Sequence, residues 1–351
     1  MPSLTPRQRV AALFNREPLD VMPFFSGLSM VVQPALDELG WSFASLHTDP
    51  ERMARAAVDS ALRMGFDAVT LPFDLGILPE ALGCTVNFYE NADQVLFPTV
   101  SGRVWQTLDE VSLPADLLTR GRIPLVTQAV ARARELAPDL PVGVWLRGPF
   151  TNLGQVLELE MVLKASFKEK AKVEAALDTL TEAVAAVGSH WAAAGADYLT
   201  LSEPGASADV LPPRLAKALT LPRLAHIIAA WPDLPVVLHM PGKSDALVEA
   251  LAGLGARALA VDHKNDLAAT RDKLGPDQLV FGNFDVFALP AKPETTPAAA
   301  AQAITEIVAA GVDAVWPGSD LWPVVKEENL RAMIAAARQA GAGPSPAVGR
   351  W

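Results

Sequence analysis

The sequence is poor in cysteine, in clustered basic residues and in long apolar runs. It has 351 residues, and Cys84 is the only cysteine, which excludes an intrachain disulfide and a cysteine-rich metal site. There are 29 Lys and Arg residues against 40 Asp and Glu, giving a net charge of −11 with no basic cluster. Such a chain matches nucleic acid and anionic lipid poorly. No apolar run approaches about 18 residues, so we expect a soluble, cytoplasmic protein without a membrane span.

The overall amino-acid composition is typical of a globular domain. Half of the residues are hydrophobic and 20% are charged, so the chain can bury enough apolar surface to fold. Its length exceeds that of an average domain, but α/β barrels commonly exceed about 250 residues as one unit. We therefore expect a single domain over residues 1–340, with an insertion at about 84–107 and a C-terminal tail at 341–351.

A recurring junction indicates a parallel α/β fold. Four times, at Gly65, Gly195, Gly255 and Gly311, an Ala-rich helical stretch ends at glycine and a short apolar run follows. Glycine caps helices readily, and strands that are apolar on both faces suit a buried parallel sheet. Four further apolar runs bring the number of predicted strands to eight. They lie at residues 21–25, 141–146, 235–239 and 278–282.

Eight strands alternating with helical stretches, among them 117–136, 213–230 and 244–254, predict a (β/α)8 TIM barrel. An open, doubly wound sheet is the alternative, but no Gly-x-Gly-x-x-Gly element follows a strand. A capping signal at Thr5 predicts a helix before the first strand. Short β-rich segments at 84–88, 94–96 and 103–107, with a turn at Gly102, predict a small antiparallel insertion after strand two.

Polar residues that follow the predicted strands are the candidate site, because barrels of this kind form their active sites at the carboxyl ends of the strands. Structural roles compete with this interpretation: Asp262 suits a helix cap, and His239 suits a buried core. His47, His190 and His226 are assigned to the surface or to packing. The candidate catalytic residues are Asp74, Glu203 and His239, and the candidate binding residues are Arg147, Asn152, Asp262, Asn283, Asp285 and Asp320.

Several segments resemble the uroporphyrinogen decarboxylase superfamily along nearly the whole chain. They begin at Thr5 (TPRQRV), Phe73 (FDLGILPEALGC), Gly148 (GPFT), Ser202 (SEPGAS), Pro235 (PVVLHMPG), Leu279 (LVFGNFD), Gly318 (GSD) and Glu328 (ENL). The superfamily contains decarboxylases of uroporphyrinogen and corrinoid-linked methyltransferases. The decarboxylases hold the carboxylates of their substrate with an N-terminal arginine pair. The matching stretch here, residues 24–30, has no arginine, and Gln155 replaces an active-site tyrosine. Decarboxylation of uroporphyrinogen is therefore kept only as a disfavoured alternative.

The branch that methylates the thiol of coenzyme M carries a His-x-Cys motif and a later cysteine as zinc ligands. This sequence keeps His239, but Pro241 and Ser319 stand where the cysteines would be. The resemblance therefore implies a zinc-free methyltransferase, and no metal site is expected here. Its cofactor would be a corrinoid (methylcobalamin) on a separate corrinoid protein, with tetrahydrofolate as co-substrate. Five of the candidates would hold the pterin: Asp74, Asn152, Glu203, Asp262 and Asn283.

Other readings stay open at this point. The protein could instead take a methyl group from a methoxy-aromatic or methylamine-type donor onto the corrinoid, with Trp316 and Trp322 packing that donor. It could also be a non-catalytic barrel that binds a tetrapyrrole or a pterin. A homodimer is left open, because the decarboxylases often dimerise through the barrel mouth whereas a corrinoid protein needs that mouth free.

Overall fold

The structure, a computed structural model, describes residues 3–92 and 94–341. The strands are β1 (Val69–Leu71), β2 (Thr85–Asn87), β3 (Thr99–Gly102), β4 (Val142–Arg147), β5 (Tyr198–Ser202), β6 (Val236–Met240), β7 (Ala258–Val261), β8 (Leu279–Phe284) and β9 (Ala314–Pro317). The helices are α1 (Pro6–Asn15), α2 (Gln33–Leu39), α3 (Pro50–Met64), α4 (Ile77–Ala81), α5 (Ile123–Leu136), α6 (Pro149–Val156), α7 (Leu159–Lys168), α8 (Lys170–Ala193), α9 (Pro213–Leu215), α10 (Leu221–Ala229), α11 (Val248–Ala252), α12 (Leu267–Leu274), α13 (Pro297–Ala309) and α14 (Glu327–Gln339). Apart from Gly341, the predicted tail lies outside the described residues.

The parallel sheet confirms the predicted α/β barrel. Seven strands pair in parallel in the order β1, β4, β5, β6, β7, β8, β9. The eighth position is Phe24, which forms a parallel bridge with Val315 of β9. On its other side the Phe24 carbonyl accepts from the Asp67 backbone N–H at 3.0 Å, just before β1. The sheet therefore closes on itself.

The first predicted strand, 21–25, is much shorter than expected. Pro23 has no N–H to donate, and the Phe24 N–H donates to the Asp67 carboxylate at 2.7 Å instead of to a neighbouring strand. The same carboxylate accepts from Arg9 at 2.6 Å. A side-chain contact thus replaces the ladder at this position.

The antiparallel insertion exists, but two of its three predicted strands are wrong. β2 lies within the predicted 84–88 segment, and its partner is β3 instead of 94–96 or 103–107. Gly102, predicted as a turn, pairs with Thr85. Arg103 leaves the sheet because its guanidinium is bound to the Leu157 carbonyl and the Glu158 carboxylate, which fixes the insertion on the loop between α6 and α7.

Three of the predicted helices are shorter or less regular than the sequence pattern suggests. The predicted helix 117–136 divides at Gly121, whose φ of 51° lies in the left-handed region, and α5 starts two residues later. The predicted helix 213–230 keeps nearly its full length but contains a π-helical segment at Ala216–Thr220, separated by one residue from Pro222, which has no N–H to donate. The predicted helix 244–254 is reduced to α11.

The predicted N-terminal helix closes the amino end of the barrel. Thr5 caps α1 and forms a capping box with Gln8, as the sequence predicts. Phe14 of α1 packs against Tyr198 and Phe281, with ring centroids 5.7 and 6.0 Å apart. With this end filled by apolar side chains, the opposite, carboxyl end is where a ligand can enter. Within the described ranges, no helix is both long enough and apolar enough to cross a bilayer.

Candidate functional site

The carboxyl ends of the strands bring most of the candidate residues to one end of the barrel. Arg147 and Ser202 are the last residues of β4 and β5, His239 lies in β6, and Asp262 follows β7 directly. The others lie at the same edge: Asp74 after β1, Asn152 in α6, Glu203 after β5, Asn283 and Asp285 at the end of β8, and Asp320 after β9. Sequence spacing therefore placed these residues correctly in the fold.

A chain of polar contacts crosses the mouth from β9 to β6. Arg147 forms an ion pair with Asp320 at 2.9 Å and donates to the Ser202 hydroxyl at 2.6 Å. The Ser202 oxygen lies 3.2 Å from Nδ1 of His239, and Nε2 of His239 lies 3.2 Å from the Gly318 carbonyl. A carbonyl only accepts, so Nε2 carries the ring hydrogen and Nδ1 accepts from Ser202.

His239 is therefore a neutral ring with both nitrogens engaged. Burial, followed by the charge of Arg147, lowers the pKa of His239 to about 3. The ring is fully buried. At neutral pH it neither carries charge nor offers a free lone pair.

Two atoms in this series of polar contacts have no hydrogen-bond partner among the described residues. They are Nε of Arg147, a donor, and Oδ1 of Asp320, an acceptor, and both are buried. Ser29, whose carbonyl accepts from the Leu321 N–H at 3.2 Å, has a buried hydroxyl that is also unpartnered. Buried polar atoms are normally satisfied, so an unpaired group beside a mouth is a place where a ligand or a water molecule is expected.

Glu203 is bound to the start of α6. Its carboxylate accepts from the backbone N–H groups of Phe150 and Thr151, both at 2.9 Å, and from the Thr151 hydroxyl. These are unpaired donors of a helix N-terminus, where a negative charge is favourable. Gly148 allows the close approach, because a Cβ there would lie 2.4 Å from Oε2 of Glu203. Burial nevertheless raises the pKa of Glu203 to about 7.

The raised pKa of Glu203 gives a testable dependence of stability on pH. The folded state holds a proton that the unfolded state releases above its ordinary pKa of 4.5, so stability contributed by Glu203 falls as pH rises from about 4.5 through 7. In Glu203→Gln this loss is absent. We expect the free energy of unfolding of the wild type, relative to the variant, to fall by about 3 kcal/mol over that interval.

Urea unfolding at several pH values measures this difference. Glu249→Gln is the matched control, because Glu249 lies at an exposed position. A constant difference between wild type and Glu203→Gln would show that Glu203 stays ionised in the folded protein.

Asp74 is the centre of a buried ionic cluster. Arg122 donates to its two oxygens at 2.8 and 3.2 Å, and Nδ1 of His47 lies 2.9 Å from Oδ2. Burial acts to raise the pKa of Asp74, but the charge of Arg122 and the hydrogen bond from His47 outweigh it and hold that pKa below its usual range. Arg122 also forms an ion pair with Glu80 at 2.6 Å. Arg122 was not among the predicted site residues, and His47 was assigned to the surface or to packing, because both lie outside the strand ends; in the structure His47 is fully buried.

The remaining candidates secure the loops that follow the strands. Asp262 accepts from the N–H groups of Gly242 and Lys264, both at 2.9 Å. The Asn283 amide donates to the carbonyls of Asp262 and Asn265, both at 3.2 Å. Asp285 likewise accepts from two N–H groups of its own loop.

Asn152 fastens the turn between β4 and α6. Its amide donates to the carbonyls of Arg147 and Gly148 at 2.7 and 3.1 Å. The oxygens of Asp74, Glu203 and Asp262 are thus engaged by donors of the protein itself, and so is Oδ1 of Asp285. The assignment of these residues to substrate contact stays a prediction, whereas Arg147 and Asp320 retain free hydrogen-bonding capacity.

Zinc does not fit the donor set around His239. Pro241 has no ligand atom, Ser319 offers a hydroxyl in place of a thiolate, and both ring nitrogens of His239 are engaged. Cys84 is buried at the insertion, where burial raises the pKa of its thiol. In the part of the chain that the structure describes, no group of three metal-ligating side chains is assembled. No step through zinc is therefore derived.

An aromatic wall borders the mouth between β9 and β1. We define it as Phe43, Phe88, Phe97, Phe287 and Trp322. Phe97 lies 5.2 Å from Phe43 and 5.3 Å from Trp322 between ring centroids. Phe287 lies 6.5 Å from Trp322 and is 59% exposed. The wall thus runs from the buried neighbourhood of Asp74 to the surface.

Comparison with known proteins shows the family of the chain. Residues 5–340 match the family described as uroporphyrinogen decarboxylase (URO-D). The chain belongs to this family. Among its relatives is the Methylcobamide:CoM methyltransferase MtaA of Methanosarcina barkeri, 32% identical over 340 residues, which are 96% of this chain and 98% of that protein. The Methylated-thiol–coenzyme M methyltransferase of Methanosarcina mazei is 28% identical over 96% of this chain and 90% of its own length.

A solved structure agrees with the sequence relatives. A methyltransferase from Methanosarcina mazei superimposes with a TM-score of 0.89 at 29% identity, covering 96% of this chain and 99% of that one. The expectations of the superfamily, the barrel and a methyl-transferring enzyme are confirmed. The two methyltransferase relatives from Methanosarcina barkeri and Methanosarcina mazei that match by sequence carry coenzyme M in their names. The expectation that tetrahydrofolate is the methyl acceptor therefore gains no support from them.

Proposed function

We propose that this URO-D family member transfers a methyl group between a methylcobamide, delivered by a separate corrinoid protein, and an acceptor that zinc does not activate. Support for the corrinoid comes from the relative named for methylcobamide, which this chain matches along nearly its whole length. One observation supports the part of this proposal that excludes zinc, namely the donor set around His239. Both ring nitrogens of His239 are engaged, and Pro241 and Ser319 supply no thiolate.

The acceptor that we propose to test first is tetrahydrofolate. It presents N–H donors and carbonyl acceptors, and the unpartnered Oδ1 of Asp320 and Nε of Arg147 offer one acceptor and one donor at the mouth. The corrinoid supplies an electrophilic methyl group. What this chain contributes is binding and alignment of the acceptor, which accounts for much of the rate in a displacement between two held reactants.

A second candidate reverses the direction. The aromatic wall offers ring faces to a methoxy-aromatic or quaternary ammonium donor, whose methyl group would pass to the corrinoid. Trp322 is the residue at issue, since it is half-buried in the wall. Trp316, by contrast, is fully buried in the barrel and packs on Phe25 and Phe281.

The deciding experiment mixes purified protein with methylcobalamin and one acceptor under anaerobic conditions. The absorbance spectrum reports cob(I)alamin. We expect demethylation with tetrahydrofolate that a zinc chelator does not reduce. Parallel reactions contain coenzyme M with and without added zinc, and cob(I)alamin with a methoxy-aromatic or tetramethylammonium. Turnover only with coenzyme M and zinc would contradict the zinc-free proposal. Turnover only in the reactions that start from cob(I)alamin would favour the reverse direction.

A further inference from the structure

His47 is a buried histidine that takes no part in the proposed function assigned so far to Arg147 and Asp320. Its ring is fully buried, and Nδ1 lies 2.9 Å from Oδ2 of Asp74. The carboxylate only accepts, so Nδ1 carries a hydrogen, and in the neutral form of the ring Nε2 presents its lone pair. Among the described residues, this Nε2 has no hydrogen-bond partner.

The surroundings fix the direction in which this lone pair can act. Arg122 binds both oxygens of Asp74, so the carboxylate that orients the imidazole cannot rotate freely. The other neighbours of the ring are aromatic: Phe43 at 4.9 Å, Phe73 at 6.2 Å and Phe88 at 6.3 Å between ring centroids. Of these, Phe88 is only half-buried. An oriented imidazole therefore lies at the inner end of the aromatic wall that borders the mouth.

We propose that Nε2 of His47 accepts the proton that the methyl acceptor loses, with Asp74 as the positioning residue behind it. This inference rests on the proposed function and names its substrate class, an amine whose nucleophilic nitrogen carries a hydrogen. The lone pair of that nitrogen forms the bond to the methyl carbon. The electron pair of the cobalt–carbon bond stays with cobalt, which passes from Co(III) to Co(I). The proton from nitrogen moves to Nε2, so atoms and charge balance.

A histidine in this role explains how the chain manages without zinc. A metal-bound thiolate is already deprotonated, whereas an amine must lose its proton as the new bond forms. His239 cannot serve, because its nitrogens are bound to Ser202 and Gly318. Nε2 is buried in the structure, so access to it requires movement of the surrounding rings, of which Phe88 is the half-buried one.

The first test is chemical modification, which does not depend on activity. Diethylpyrocarbonate acylates neutral imidazole, and peptide mass spectrometry assigns the label among the five histidines. We expect label on His47 and on exposed His226, and none on His239. A protein that is labelled on His226 but never on His47 would overturn the inference, whatever its activity.

The second test is kinetic, with methylcobalamin and tetrahydrofolate. In His47→Asn the amide can still donate to Asp74 while the base at Nε2 is removed, and we expect a rate about 100-fold lower. His226→Asn is the control, because His226 makes only a surface contact with Glu182, and it should keep the wild-type rate. A wild-type rate in His47→Asn overturns the role of His47 and leaves the proposed function standing.

Rescue separates chemistry from folding. His47→Ala is assayed with and without added imidazole, and its thermal midpoint is compared with that of the wild type. Recovery of rate by imidazole at an unchanged midpoint supports base catalysis. A slow variant that imidazole does not rescue assigns His47 to structure. If the wild type itself transfers no methyl group, the proposed function fails, and the labelling result alone decides whether His47 is reachable.

Discussion

Arg122→Met should lower the free energy of unfolding by about 3–5 kcal/mol, which is the cost of leaving a buried charge without its partner. Asp74 is 3% exposed, and the Arg122 guanidinium donates one charge-assisted hydrogen bond to each of its two carboxylate oxygens. Methionine can fill much of the space over the Phe88 ring, where the Arg122 guanidinium lies 4.6 Å from the ring centroid, but it offers neither a donor nor a positive charge to the buried carboxylate. Denaturant unfolding at pH 7 measures the loss.

The pH dependence of this effect has a definite sign. In the wild type the pKa of Asp74 lies below its ordinary 3.8, so its stabilisation is present above about pH 4 and is lost as pH falls. The difference between wild type and Arg122→Met should therefore shrink below pH 4. Adding Asp74→Asn to Arg122→Met should recover part of the stability, because no buried charge then remains.

Two outcomes would refute this account of Arg122. One is a double variant no more stable than Arg122→Met, and the other is a loss that does not depend on pH. Arg120→Met is the matched control. The Arg120 side chain is 41% exposed and lies 3.9 Å from Asp116, so its substitution should change the free energy of unfolding by less than about 1 kcal/mol.

Arg147→Met should reduce kcat/KM with the accepted substrate by about 100-fold. Arg147 holds Asp320 and Ser202 in place and keeps one donor, Nε, unpartnered at the mouth. Loss of a hydrogen bond from a charged group costs about 1.5–3 kcal/mol, which corresponds to roughly 10- to 150-fold in rate. Steady-state kinetics with methylcobalamin in excess measures the effect.

Stability and activity must be separated for Arg147. Its guanidinium also lies 4.7 Å from the Trp145 ring, so the thermal midpoint is measured alongside the kinetics. Arg147→Lys keeps a charge but cannot bind Ser202 and Asp320 together in the same geometry, and it should restore only part of the rate. Arg214→Met, at an exposed position, is the control. Full activity in Arg147→Met would remove Arg147 from the site.

The sequence predicted the barrel well because the barrel depends on local patterns. Glycine-capped helices and short apolar runs recur along the chain, and each run that pairs in the parallel sheet was found. The strand predictions failed where a single side chain takes over hydrogen bonds that the backbone of a neighbouring strand would otherwise make, or draws the chain out of the sheet. Asp67 takes the N–H of Phe24, and Arg103 is drawn from the insertion onto the loop before α7. Such partners lie 43 and 54 residues away, beyond the reach of any local pattern.

The site shows the same division. The sequence by itself determined which residues reach the carboxyl ends of the strands, and it determined that Pro241 and Ser319 leave His239 without thiolate companions. Only the tertiary structure decided which of those side chains keep a free atom. Hydrogen-bonding capacity depends on neighbours that barrel closure brings together, such as Arg147 with Asp320, 173 residues apart. For the same reason His47 and Arg122, which no strand-end pattern marks, are found beside Asp74 once the chain has folded.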